Sequence, residues 1–183
     1  MSKATWMDAD SCEARTFRDM LGHFLTGVTV VATRDEEGAA RAFTANSFTS
    51  VSLDPPLILV CLAKAATCCA AFTRAERFSV NVLGDWQCEL SRAFASRGAA
   101  KQEALAHLTA DEPPVLPDSL AMMACLSRQV VDAGDHVILV GEVERFVSGS
   151  GLPLGYHRGS YVRFHARNER RELLLDDRAR SAA

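Results

Sequence analysis

Residues 44–56, TANSFTSVSLDPP, constrain this chain more than any other stretch. Five of these thirteen side chains are hydroxyls (Thr44, Ser47, Thr49, Ser50, Ser52), and Asn46 adds an amide. The run then passes directly into LILVCL, an uninterrupted apolar segment. A hydroxyl or an amide both donates and accepts, and neither is bulky. Such a surface suits a flat heteroaromatic ring with a mixed donor and acceptor edge. The competing reading is a solvent-facing strand that ends in the turn Asp54-Pro55-Pro56.

Around that stretch the chain alternates short apolar runs with turn residues. Phe17, Met20, Leu21, Phe24 and Leu25 recur at helical spacing, and Thr16 is the expected N-cap. VTVVAT after Gly27 is rich in β-branched residues. Asp35 to Gly38 form a turn, and Ala40 to Thr44 pair back as a hairpin. Strands are expected at Leu57 to Leu62 and Phe78 to Leu83. Thr67 is the expected N-cap of a short helix through Phe72, and a further helix starts at Asp85. Ala124–Val131 and Val137–Phe146 read as two strands joined at 132–135, and YHRGSYVRF holds the last strand.

The sum is six or seven short strands and three helices. Short connections imply antiparallel pairing, and closure into a barrel is the usual way to remove exposed edges. The expected class is therefore mainly β with peripheral helices. The expected organisation is a loosely packed segment 1–14, one domain over 15–167 and a charged tail or helix over 168–183. A chain of 183 residues has ample length for one core.

Composition excludes several classes. With 20 Lys and Arg against 23 Asp and Glu, the net charge of -3 provides no basis for nucleic acid or an anionic membrane as partner. No apolar run approaches the roughly 18 residues that span a bilayer, and the N-terminal residues lack the apolar region of a signal peptide. The six cysteines have no CxxC spacing and read as reduced cytoplasmic thiols. The five histidines are scattered without metal-ligand spacing. No GxGxxG fingerprint occurs.

Four runs, TGVTVVAT, TANSFTSVSLDPPLILVCL, FSVNVL and GDHVILVGEV, resemble the flavin reductase family in order and in content, over about Phe17 to Phe164. The resemblance implies an antiparallel split β-barrel of the FMN-binding type and a homodimer. It implies hydride transfer from NADH or NADPH to FMN or FAD, with reduced flavin supplied to a separate oxygenase or halogenase. It places Thr44, Ala45, Asn46 and Ser47 along the flavin ring, with Ser50, Val51 and Ser52 close behind. Cys61, Leu62, Ala63, Lys64 and Thr67 fall along the ribityl chain and phosphate, and Phe94, Ala95 and Arg97 along the flavin tail. His136, in the tripeptide Gly134-Asp135-His136, lines the nicotinamide site as a catalytic, orienting residue, with Tyr156, His157, Arg158 and Gly159 as its second segment. Arg41-Ala42-Phe43 departs from the family, where a Gly and an apolar residue are usual. A non-enzymatic electron carrier or redox sensor on the same barrel is the alternative, and it would not require the nicotinamide residues. A pyridoxamine-phosphate-oxidase-like enzyme is weaker, because the TANSFTSVSLDPP run matches the reductases.

Overall fold

The structure, a computed structural model, describes residues 6–164. A seven-stranded antiparallel sheet dominates it. Its strands are β2 (Thr29–Arg34), β3 (Ala40–Ala45), β4 (Thr49–Leu53), β5 (Pro56–Ala63), β6 (Arg77–Val82), β7 (Ala121–Ala133) and β8 (His136–Ser148). Their order in space is β3-β2-β6-β7-β8-β5-β4. A smaller sheet joins β1 (Thr26–Gly27), β9 (Leu154–His157) and β10 (Ser160–Arg163) in the order β1-β9-β10. Four helices lie outside: α1 (Ala14–Leu21), α2 (Cys69–Arg74), α3 (Cys88–Ala95) and α4 (Ala99–Leu105).

The large sheet curls without closing by strand pairing, so β3 and β4 remain its two edges. A serine side chain bonds across the seam. Just beyond β3, the Ser47 hydroxyl accepts from the Cys61 N–H at 2.9 Å and donates to the Cys61 carbonyl at 3.3 Å. Curvature comes from the two 13-residue strands β7 and β8, whose register shifts at Ala124/Cys125 and at Ser127/Gln129. Such irregularities bend a strand and raise its local twist.

Both faces of β2 are covered, which is why TGVTVVAT is apolar without alternation. Val31 points into the barrel, against Val60, Phe78, Val80 and Leu139. Val28, Val30 and Ala32 point outward, against Leu83, Phe94, Ala104 and Leu116 beneath α3 and α4. The polar groups between these layers are satisfied. Asn81, fully buried, donates to the Val30 carbonyl at 2.9 Å and accepts from the Leu116 N–H at 2.9 Å. Ser79 donates to the Pro114 carbonyl at 2.5 Å. Together they tie down the 113–116 loop. Phe43 fills the barrel, edge-to-face on Phe72 at 4.9 Å.

Several expectations need correction. The strands number ten among the described residues, because β1 has only two residues and the expected last strand divides into β9 and β10, while β4 is the solvent-facing strand of the competing reading given above. Thr16 lies inside α1, whose N-cap is Glu13. The cap of α2 is Cys68, with Thr67 one residue before that cap. The peripheral α-helices number four among the described residues, since α4 (Ala99–Leu105) adds to the three expected, in a region where the sequence suggests only a short helix near Gln102 to Leu108. The expected tail 168–183 lies outside the described residues, as does His165.

Candidate functional site

The seam of the barrel opens into a cleft of about 420 Å³. Four segments build it. The end of β3 and the residues after it contribute Thr44, Ala45, Asn46 and Ser47. The end of β5 contributes Cys61, Leu62 and Ala63. The turn 65–68 closes one end, and 94–97 with Lys101 close the side. His136, first residue of β8, stands at the rim. Strand pairing puts it there, since Ala63 and His136 are register partners.

The hydroxyls of this cleft serve the fold as much as any ligand. Thr44 donates to the Ser91 carbonyl on α3 at 2.7 Å. Ser47 is engaged in both directions with Cys61, as described above. Asn46 is exposed, and among the described residues its side chain has no hydrogen-bond partner. It is therefore the amide available to a ligand's polar edge. Alanines at 45, 63, 65 and 66 leave room for a flat group. The turn is tight: Ala66 N–H donates to the Ala63 carbonyl and Cys69 N–H to the Ala66 carbonyl, each at 3.0 Å.

The cations are Arg97 and Lys101, both lining the cleft. Among the described residues neither forms an ion pair with a carboxylate. Lys64 does not line it. Its ammonium pairs with Asp132 at 2.7 Å on the outer side of the β7–β8 turn. Lys101 takes its place, brought in by α4, and no signal near the 44–67 run marks it. Phe43, Cys68 and Ser96 also join the lining without having been expected there.

Ser50, Val51 and Ser52 lie elsewhere. They run along edge strand β4, where Ser50 and Ser52 border a separate groove of about 320 Å³ with Leu53, Phe146 and Val147. The Ser52 hydroxyl accepts from the Asp54 N–H at 3.2 Å. The structure does not bring these three residues to the cleft.

The nicotinamide candidates divide. His136 holds Asp135 through Nδ1 to Oδ1 at 2.7 Å, and this contact with His136 keeps the Asp135 carboxyl below its ordinary value. Tyr156 lines a smaller cavity of about 190 Å³ together with Thr44, Asn46 and Ala95, which also line the main cleft. Tyr156 is thus on the same site from the opposite side. Tyr161, not anticipated, packs on it at 5.4 Å and shares a 2.8 Å hydrogen bond with Ser91. His157, Arg158 and Gly159 form the β9–β10 turn, with positive φ at Arg158 and Gly159, and line neither cavity. They meet α1 instead, where Arg158 N–H donates to the Gly22 carbonyl at 2.9 Å.

No group of three or more His, Cys, Asp or Glu among the described residues is arranged to hold a metal. No helix among them is long and apolar enough to cross a membrane.

An antiparallel barrel open at one seam, with a polar cleft at that seam, is a split-barrel architecture. The family model described as "Flavin reductase like domain" matches residues 21–165, and the chain belongs to that family. It is 43% identical over 156 residues to the reductase component of the flavin-dependent trigonelline monooxygenase of Acinetobacter baylyi, covering 85% of this chain and 50% of the relative. It is 42% identical over 151 residues to the FMN reductase (NADH) SmoA of Agrobacterium fabrum, covering 82% and 86%. Among solved structures, the NADH:FAD oxidoreductase SgcE6 of Streptomyces globisporus, in complex with NAD and FAD fragments, superposes with a TM-score of 0.80 at 30% identity, over 90% of this chain and 99% of that one. The chain spans half the length of the first of these relatives.

Proposed function

We propose that the protein is an NAD(P)H:flavin oxidoreductase that supplies reduced FMN or FAD to a separate flavin-dependent oxygenase or halogenase. The observation that carries this reading is the cleft itself. One cavity gathers the Asn46 amide, the two cations Arg97 and Lys101, which have no carboxylate partner among the described residues, and His136, and an adjoining one reaches Tyr156. The donor set fits a flavin nucleotide: a free amide and small residues toward a ring, Arg97 and Lys101 toward a phosphate.

Bound flavin supplies the two-electron acceptor, and the dihydronicotinamide supplies the hydride. The chain binds and orients. Ser47 fixes the distance between the end of β3 and β5, and so the width of the cleft. Asn46 presents its amide, and Arg97 and Lys101 hold negative charge. His136, steadied by Asp135, and Tyr156 flank the open side where a nicotinamide must enter. Names borne by relatives support the wider role: the Acinetobacter protein is a monooxygenase's reductase component, and SmoA is a reductase that uses NADH.

A homodimer is part of this reading. Among its described residues α1 buries no side chain, and Phe17, Met20 and Leu21 stand exposed on it. Leu53 and Phe146, about 92% and 78% exposed, form a second apolar face. A cytoplasmic site is proposed as well, consistent with six free thiols.

The deciding assay follows NADH oxidation with FMN or FAD added. Oxidation that depends on added flavin is expected. Tight flavin binding without NADH oxidation would replace this reading with the electron carrier.

A further inference from the structure

Ser91 and Phe94 are the fully buried residues of α3. A serine within a helix ordinarily points to water or turns its hydroxyl back to the carbonyl four positions earlier. Ser91 instead shares its 2.8 Å hydrogen bond with the Tyr161 hydroxyl on β10, 70 positions away. Its backbone carbonyl accepts from the Thr44 hydroxyl at 2.7 Å, near the end of β3. One residue of α3 thus grips both the strand that leads to Asn46 and the smaller sheet.

The smaller sheet depends on that grip where Tyr156 lies. At its start β9 is tied through Leu154 N–H to the Leu83 carbonyl at 2.9 Å, and just past its end Arg158 N–H bonds the Gly22 carbonyl. Between those ties stands Tyr156, with Tyr161 as its register partner on β10. The two rings pack edge to face at 5.4 Å, and the Arg92 guanidinium lies 5.2 Å from the centre of the Tyr161 ring. Both tyrosines line the cavity of about 190 Å³, whose other walls include Thr44, Asn46 and Ala95 of the flavin cleft. Tyr161 cannot shift along that wall without losing Ser91, and Tyr156 cannot without losing the ring beside it. A chain of contacts, Thr44 to Ser91 to Tyr161 to Tyr156, therefore sets the spacing between the end of β3 and the opposite wall.

We propose that Ser91 and Tyr161 are positioning residues for hydride transfer, holding Tyr156 at a fixed spacing from the flavin cleft so that the nicotinamide is oriented as it enters. The inference rests on the reading of the protein as a flavin reductase. Neither residue lines the main cleft, so both act on the hydride donor through Tyr156 and have no part in holding the flavin ring.

The test compares Ser91→Ala, Tyr161→Phe and the double variant with the unaltered protein. Melting temperature, flavin affinity by fluorescence titration, and kcat/KM for NADH at saturating flavin are read for each. A single substitution leaves the partner hydroxyl unpaired, so the melting temperature is expected to fall. The double variant removes both hydroxyls and is expected to recover most of that fall. In all three variants kcat/KM for NADH is expected to drop roughly two- to tenfold, the double included because nothing restores the tie, while flavin affinity stays within about twofold. Tyr161→Phe keeps the ring and its packing, and carries the test if Ser91→Ala does not fold. A kcat/KM that is unchanged in Tyr161→Phe, or that recovers with the melting temperature in the double variant, would overturn the proposal and leave the bond a purely structural one. A loss of flavin affinity as large as the loss of kcat/KM would overturn it too, since the bond would then shape the flavin cleft. If the unaltered protein oxidises no NADH with FMN or FAD added, the flavin reductase reading falls, and this inference with it.

Discussion

At the scale of single residues, Ser47 and Asn46 are adjacent in sequence and opposite in role. Ser47 spends both functions of its hydroxyl on Cys61 across the seam. Asn46 keeps its amide free. Ser47→Ala removes two hydrogen bonds worth roughly 0.5–1.5 kcal/mol each. It should lower the melting temperature and weaken flavin together, since the cleft loses its strut. Asn46→Ala should weaken flavin about two- to tenfold for one lost bond, with the melting temperature unchanged. Thermal melts beside flavin titrations separate the two, and matching profiles would contradict this division of roles. His136→Ala should lower kcat/KM for NADH about five- to 150-fold, the value of one positioning contact of about 1–3 kcal/mol, with a smaller effect on flavin affinity. Steady-state kinetics with flavin and NADH varied separately read this out. The paired Asp135 remains ionised in such assays. Its carboxyl lies below the ordinary 3.8, so whatever it contributes to stability is present above that value and is lost only as pH falls through its depressed folded value.

At the scale of elements, the core of the barrel is packed to contact where β6, β7 and β8 cross. A Cβ on Gly141 would lie 2.5 Å from Phe78 Cζ and 3.0 Å from Cys125 Cβ. Phe78 is an aromatic ring, 1% exposed, with nowhere to move. Gly141→Ala should therefore destabilise by about 1–3 kcal/mol, seen as a lower urea midpoint with an unchanged slope. Beside it, burial pushes the Cys125 thiol up to about 12 from 9.0. The unfolded chain ionises first as pH rises, so the unfolded state binds fewer protons above 9.0 and stability falls from there toward 12. The slope approaches about 1.4 kcal/mol per pH unit for this one group. Urea midpoints measured on both sides of pH 9 should show a steeper alkaline loss in the unaltered protein than in Cys125→Ala. Equal losses would mean that the thiol is not held protonated by the fold.

At the scale of the molecule, two apolar surfaces stand exposed among the described residues: the α1 face, and the β4 edge with Phe146 and Val147. An apolar edge strand invites pairing unless something covers it. A chain of 19.9 kDa should therefore sediment as a dimer, and Phe146→Lys with Leu53→Lys should shift it to monomer. A unaltered chain that sediments as a monomer with full activity would show that these faces serve something else.

The amino-acid sequence by itself determined the class of fold. Alternating β-branched runs broken by turn residues demand short antiparallel strands, because backbone sterics and turn chemistry act over a few residues. The family resemblance named Thr44 to Ser47, Cys61 to Ala63, Thr67, Phe94, Ala95, Arg97, Tyr156 and His136, and the structure gathers them along one cleft or, for Tyr156, the cavity adjoining it. Tertiary structure alone decided the rest. It turned Ser50 to Ser52 away along an edge strand, since only the curl of the sheet says which end of a strand meets the seam. It paired Lys64 with Asp132 and brought in Lys101 from a helix 37 positions later in the numbering. It left His157 to Gly159 as a turn against α1. A long flexible cation reaches whatever charge the fold sets beside it, and that neighbour is a property of packing, not of local sequence.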